Sequence, residues 1–332
     1  MLRRIALIVL LLAALCAGGV YYAAQEMVRA LGPLAQQKIV LIPKGTGSQK
    51  IGEILEREGI ISSRFVFYFA AWVSPEKAVF QAGEYEFAPH VTIAEVITKM
   101  RKGDVFVRRF TIPEGRTSYE IVEVIKAIPE LTGSIVDVPA EGTLYPDTYS
   151  YTAGDDRVAI IDKLRVRMTG ILQDVWAQRA SDTILKTPEE ALTLASIVEK
   201  ETGKASERAM IAGVFINRLQ KGIPLQSDPT VIYAVTGGRP QNEGQGPLGR
   251  RLLTKDLDLD SPYNTYKNVG LPPAPIASPG RAAIEAVLHP AKHNFLFFVA
   301  DGTGGHLFAV SLAEHNRNVA QWRVLRRAQQ KD

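Results

Sequence analysis

Residues 5–24 are twenty consecutive uncharged, mostly apolar residues that directly follow Arg3 and Arg4. A helix rises about 1.5 Å per residue, so this stretch is long enough to cross the ~30 Å hydrocarbon core of a bilayer. The paired arginines predict a cytoplasmic N-terminus, with the rest of the chain on the other side. A cleaved signal peptide is the rival reading, because alanines lie near Cys16 and Ala24; the length favours a retained anchor. Leu15, which precedes Cys16, is too large for a lipoprotein cleavage site. Cys16 is the only cysteine and lies inside the apolar stretch. The segment after it therefore has no disulfide, no cysteine nucleophile and no thiolate metal site, and must be held by its core.

The 332 residues allow two or more domains, and 46% hydrophobic with 22% charged residues is ordinary for a globular protein carrying an added apolar segment. A net charge of +4 without a long basic run gives no electrostatic footprint for nucleic acid. Arg323, Arg326, Arg327 and Lys331 make the C-terminus basic and read as a solvated helix end.

From residue 38 onward the text organises into strand–turn–helix units. Val40-Leu-Ile-Pro43-Lys-Gly45 reads as a strand and turn ahead of an amphipathic helix with Ile51, Ile54 and Leu55. Phe110-Thr-Ile-Pro113-Glu-Gly115 repeats this at matching offsets, ahead of Ile121, Val124 and Ile125. A shorter version is Tyr85-Glu-Phe-Ala-Pro89 before Ile93, Val96 and Ile97. These units are too few for a solenoid. They predict an α+β chain in three parts: anchor and linker at 1–37, a small α+β module at 38–108, and a larger mixed α/β domain at 109–332.

The larger domain contains a helix read over 188–202. Thr187-Pro-Glu-Glu190 supplies a capping threonine, a proline at the first helical position and a glutamate three residues after the cap. Gly203 is read as its stop. Ala191, Leu192, Leu194, Ala195, Ile197 and Val198 cover more than half its circumference, so the helix should be buried on most sides. Glu199 and Glu201 fall on opposite flanks of the apolar surface, and Thr193, Ser196 and Lys200 share a polar strip. A carboxyl among apolar neighbours is desolvated and its pKa rises, as a general acid near neutral pH requires. Glu199 is the first choice and Glu201 the second; the alternative is a pair of solvated glutamates near a helix end.

Beyond this helix, Ser206 is read as the cap of another helix that buries Met210, Ile211, Val214, Phe215 and Leu219 and stops at Gly222. Residues 224–230 read as a proline-bounded loop and 237–249 as an irregular glycine-rich loop. Residues 295–310 read as a hairpin with a glycine-rich turn, followed by a helix from Leu312.

Val40-Leu-Ile-Pro-Lys-Gly with its following helix resembles a LysM-like module, which implies binding of N-acetylglucosamine-containing glycans or a spacer role. Essentially the whole chain, including the anchor, closely resembles the endolytic murein transglycosylase, or YceG-like, family. The matching texts are Glu-Gly-x-Leu-x-Pro-Asp-Thr-Tyr at 141–149, Ala-Ser-Ile-Val-Glu-Lys-Glu-Thr at 195–202, Val-Phe-Ile-Asn-Arg-Leu at 214–219 and Leu-Gln-Ser-Asp-Pro-Thr-Val-Ile-Tyr at 225–233. Tyr-Asn-Thr-Tyr at 263–266, Gly-Leu-Pro-Pro and Ile-Ala-x-Pro-Gly within 270–280, His-Pro-Ala-Lys at 289–292 and the segment 298–306 follow in the same order.

The resemblance implies a single-pass enzyme of the inner membrane, facing the cell-wall compartment, that cuts glycan strands between N-acetylmuramic acid and N-acetylglucosamine. The muramyl C6 hydroxyl attacks C1 of its own ring and leaves a 1,6-anhydro end. The family's catalytic glutamate maps onto Glu199. The implied partners are peptidoglycan strands, the membrane and cell-wall synthases; no cofactor and no metal are implied. Gln226, Asp228 and Thr230 could bond sugar hydroxyls or acetamido groups. Tyr145, Tyr149, Tyr233 and Tyr266 could stack on sugar faces, the alternative being core packing. Asp147 and Asp228 are the loop carboxylates open to a second role, or simply turn formers beside proline. Asn217 could orient the glutamate or bond backbone, and Asn264 could bind substrate or shape a turn. Two rival motifs are set aside: His289 and His293 at zinc spacing are separated by a proline, and Ser196 with Lys200 lies on the polar strip away from the apolar site.

Overall fold

The computed structural model describes residues 2–73, 79–241 and 247–329. Of the sequence readings, part of the 237–249 loop (residues 242–246) and Lys331 lie outside the described residues. The chain divides into two compact units, residues 1–109 with 150–155 and residues 110–149 with 156–332.

The first unit opens with helix α1 (Leu2–Arg29), whose stretch Leu7–Arg29 is long and apolar enough to cross a membrane. The helix runs five residues beyond Ala24, and Val28 in its last turn is buried in the unit. Strand β1 (Lys38–Ile42) turns Val40 and Ile42 inward by the two-residue period of a strand. Helices α2 (Ser48–Arg57) and α3 (Arg64–Val73) follow, and strand β2 (Gly83–Phe87) returns antiparallel to β1, from Lys38↔Phe87 to Ile42↔Gly83. Helix α4 (Ile93–Lys102) starts with a reciprocal Thr92–Glu95 capping box and ends at Gly103 in the left-handed region. Ile42, Leu55, Ile60, Phe67, Tyr85, Phe87 and Met100 form the core of this unit.

Strands β3 (Arg108–Thr111) and β4 (Thr148–Tyr151) pair as a two-stranded ribbon. The second unit then holds α5 (Ser118–Lys126), α6 (Arg157–Ala177), α7 (Pro188–Glu201), α8 (Arg208–Gln220), α9 (Asp228–Thr236) and α10 (Arg281–Leu288). A hairpin of β5 (Phe297–Ala300) and β6 (His306–Ala309) and the helix α11 (Leu312–Gln329) complete it. Helix α7 is the centre, with α6, α8, α9 and α10 packed around it. All its residues from Ala191 to Val198 are buried. The sheets among the described residues are all two-stranded, so the second unit is a helical core with β ribbons and its α/β reading is corrected to α+β.

Four local expectations are also corrected. The polar strip of α7 faces water only at Lys200: Thr193 is buried and Ser196 fully so, its hydroxyl donating to Thr193 O (2.7 Å) and accepting from Ile276 N–H (3.0 Å). Helix α7 stops at Glu201 with extended Thr202 as its cap, before Gly203. Ser206 caps nothing; it sits in a 3-10 turn (Ala205–Glu207), and α8 starts at Arg208 without a side-chain cap. The second half of the proline-bounded 224–230 loop is already helical, because Pro229 occupies the first turn of α9, where its missing N–H costs nothing.

Candidate functional site

Helix α7 positions two carboxyl groups by its own geometry, since residues two apart leave a helix on different faces. Thr187 fixes the start, accepting from Glu190 N–H (3.2 Å), while the Glu190 carboxylate reaches back to Lys186 N–H (2.6 Å).

Glu199, near the C-terminal end, has a side chain only 6% exposed. Its Oε2 accepts from the Gly280 N–H (3.0 Å), and its Oε1 faces Arg208 Nη2 (3.4 Å). The same Arg208 nitrogen lies 3.4 Å from Oε2 of Glu114, a carboxylate 45% exposed. The turn Pro113-Glu114-Gly115 is held between α7 and the loop before α10. Gly115 N–H donates to Ser278 O (2.9 Å), and Lys200 Nζ donates to Gly115 O (3.1 Å). Burial pushes the Glu199 carboxyl above the ordinary carboxylate range; the Gly280 amide opposes this, the Glu114 charge adds to it, and Arg208 opposes it. Buried Arg208 Nε has no partner among the described residues. The same side chain lines a hollow with Gln178, Arg281 and Glu285. An acid with a raised pKa, a cation and a second carboxylate thus converge on one point.

Glu201 sits in a different environment. Its Oε1 accepts from Ser227 Oγ (2.5 Å), and burial first, with the nearby Asp228 charge, pushes its carboxyl up to about 7 against the pull of that hydrogen bond. Asp228 Oδ1 accepts from the Tyr266 hydroxyl (2.6 Å). Gln226 belongs to the same loop, accepts from Arg218 Nη2 (3.0 Å), and has a left-handed backbone at φ 53°. That conformation is costly for a residue with a Cβ and recurs at functional loops. Gln226, Asp228 and Tyr266 are therefore brought together, beside Glu201.

The other sequence-selected residues lie elsewhere or are engaged internally. Thr230 is fully buried, its hydroxyl on Ser227 O (2.7 Å) and Thr265 Oγ1 (2.8 Å). Asn264 is fully buried and donates to Leu257 O (2.9 Å) and Leu259 O (2.8 Å). Asn217 donates to His293 O (2.8 Å) and Phe295 O (3.0 Å), tying α8 to the lead-in of β5. Tyr145 is 8% exposed in the core, with the Arg167 guanidinium 5.9 Å from its ring. Half-buried Tyr149 donates to Tyr145 O (2.8 Å) and stacks on Phe110. Asp147 accepts from Thr148 N–H (2.7 Å) and lies 3.7 Å from Arg167. Tyr233 packs on Tyr263, 4.9 Å between ring centres. His289 caps α10 and His293 faces Met210 O (2.9 Å), so the pair does not share a helix face.

Sequence reasoning missed Glu114 and Arg208. Glu114 had been read only as part of a strand–Pro–Gly echo, and that echo was itself the available signal: its turn is what packs against the end of α7.

The profile of the YceG-like family matches residues 40–321. The chain is 32% identical over 307 residues to a Bacillus subtilis (strain 168) protein named endolytic murein transglycosylase, covering 83% of this chain and 82% of that one. A Streptococcus pneumoniae (serotype 2, strain D39) protein of the same name is also 32% identical, over 93% of this chain, which spans 63% of that relative's length. Among solved structures, a YceG-like protein from Listeria monocytogenes is 32% identical and superposes with a TM-score of 0.51 over 85% of this chain and 98% of that one.

Proposed function

Because the chain belongs to the YceG-like family, we propose that it is a membrane-anchored endolytic murein transglycosylase. It cuts peptidoglycan strands internally at the bond between N-acetylmuramic acid and N-acetylglucosamine and leaves 1,6-anhydro ends, limiting the length of new strands. Helix α1 is its single-pass anchor in the inner membrane, and the remainder faces the cell wall, where synthases of the strand are its working partners. Residues 38–108 form a LysM-like glycan-binding module, and 109–332 the catalytic domain. No cofactor enters the reaction.

Glu199 is the acid and then the base. In the neutral form that burial favours, it gives its proton to the leaving glycosidic oxygen as the bond from that oxygen to C1 breaks. The resulting carboxylate, met by the Gly280 amide and Arg208, then takes the proton of the C6 hydroxyl while O6 bonds to C1. The proton returns to its starting place and no water is consumed. A bound water and a second activating carboxylate, which an ordinary glycosidase needs, are unnecessary. Glu114 sits where its charge favours the neutral form of Glu199 and the cationic character developing at C1. Gln226, Asp228 and Tyr266 form a sugar-binding edge with Tyr145, Asp147, Tyr149, Asn217, Thr230 and Asn264 shaping the surrounding loops.

The observation that carries this reading is Glu199, with a raised pKa and paired to one amide and one guanidinium. It is tested by digesting purified glycan strands and analysing the new ends by mass spectrometry. Anhydromuramyl ends on internal fragments are expected. Reducing ends that take up ¹⁸O from labelled water would make the enzyme a hydrolytic muramidase instead.

A further inference from the structure

Helix α3 presents an apolar face that its own unit does not cover. Its sequence, Arg-Phe-Val-Phe-Tyr-Phe-Ala-Ala-Trp-Val, has no charge after Arg64. Phe67 is fully buried, and Val66, Ala70 and Ala71 pack on the core. At 100° per residue, Phe65, Phe69 and Trp72 fall within about 60° of one another on the opposite side. Phe65 is 67% and Trp72 80% exposed. Aromatic side chains this open usually mark an interaction surface.

What covers this face follows from its neighbour. Phe69 meets Tyr21 of α1 edge-on, 6.2 Å between ring centres. Tyr21, Gln25 and Val28 of α1 line one hollow with Ala70 and Val73 of α3. These α1 residues are spaced i, i+4, i+7, so one stripe of the apolar helix runs into α3. Tyr21 lies three residues before the end of the uncharged stretch at Ala24, or about 4.5 Å along the helix. That is the depth of the boundary between headgroups and acyl chains, where aromatic belts and the apolar faces of surface-lying helices settle. Arg64 at the start of α3, with its guanidinium 5.2 Å from the Phe65 ring centre, can stay at headgroup level while the ring goes deeper.

We propose that α3 is a second membrane contact: an interfacial helix that inserts Phe65, Phe69 and Trp72 into the leaflet from which α1 emerges. This rests on the reading of α1 as a membrane span. Two contacts at one bilayer surface fix the orientation of the first unit, which a single crossing helix leaves free to tilt and rotate.

The test uses the full chain in phosphatidylglycerol/phosphatidylethanolamine vesicles whose acyl chains carry bromine close to the headgroup or close to the chain end. Tryptophan emission is compared between the native chain and Trp72→Phe, an exposed and conservative change that leaves Trp176 and Trp322 as background. Shallow bromines are expected to quench the native chain, deep bromines much less, and Trp72→Phe to remove at least half of the shallow quenching. If the chain floats with the vesicles but Trp72→Phe leaves quenching unchanged, the interfacial helix is wrong and the anchor stands. A Trp72 emission shifted to the blue without lipid quenching would mean that a protein, or a second copy, covers the face, and equally overturns the proposal. A chain that fails to float sinks the anchor reading and this one with it.

Discussion

At the scale of the residue, the two glutamates of α7 make opposite predictions. Glu199→Gln keeps the shape but can neither give nor take the proton. General acid–base catalysis contributes roughly 10²–10⁴-fold, so a residual rate at or below about 1% is expected, with folding intact by circular dichroism. Glu201→Gln should retain much more activity and instead change stability. Burial raises the Glu201 pKa to about 7 from 4.5, so its favourable contribution is complete below pH 4.5 and is lost as pH rises through 7. The loss approaches about 3 kcal/mol at alkaline pH. The Tm difference between Glu201→Gln and the native chain should therefore grow in favour of the variant from pH 5 to pH 8; a constant difference would contradict the burial argument. If Glu201→Gln is inactive and Glu199→Gln turns over, the acid has been misassigned. Glu114→Gln removes a negative neighbour of Glu199, lowers its pKa, and should move the alkaline limb of the pH–rate profile to lower pH. The buried setting of Glu199 could be read from the sequence because capping and apolar period both bear on its own helix. Arg208 could not, because its meaning lies in contact with a segment 94 residues away; Glu114 had only the strand–Pro–Gly echo to mark its turn.

At the scale of the element, the loop before α10 holds the acid in place. A Cβ added at Gly280 would run into the carboxyl of Glu114, the far end of a side chain 45% exposed. Its backbone, at φ −77° and ψ 168°, is one that alanine adopts freely, so Gly280→Ala isolates the steric effect. Glu114 can swing aside, so the change should cost less than about 1 kcal/mol in stability and reduce kcat by moving Glu114 away from Glu199 and Arg208. Unchanged kcat would show that the placement of Glu114 is dispensable. The elements legible in the sequence were those with a local signature, such as β1 and α2 with their Pro-Gly turn, or the start of α7. Helix α10 was not anticipated, since Gly280 gives it no side-chain cap and its residues Ala283, Ile284 and Val287 are buried by tertiary packing. The buried Ser196 escaped notice for a related reason: a serine in a helix looks solvated until the backbone of Ile276 supplies its partner.

At the scale of the whole molecule, deleting residues 38–108 should weaken binding to glycan strands and leave measurable cleavage, because the proposed acid is not among them. Complete loss of turnover in a truncation that still folds would assign that module part of the chemistry. The length and order of the motifs made the family legible from the sequence, whereas the pairing of β3 with β4 was not, since β4 lies 37 residues after β3 and the ribbon is set only in three dimensions. The placement of Cys16 within α1 has a practical consequence. The chain is a naturally single-thiol protein with its reactive group, exposed in the structure, in the apolar helix. A maleimide spin label attached there needs no engineered background, and its accessibility to oxygen and to a nickel chelate would report bilayer depth directly. The remainder, lacking any thiol to oxidise, can reach its fold in an oxidising compartment without disulfide catalysts and without the mispaired species they exist to repair.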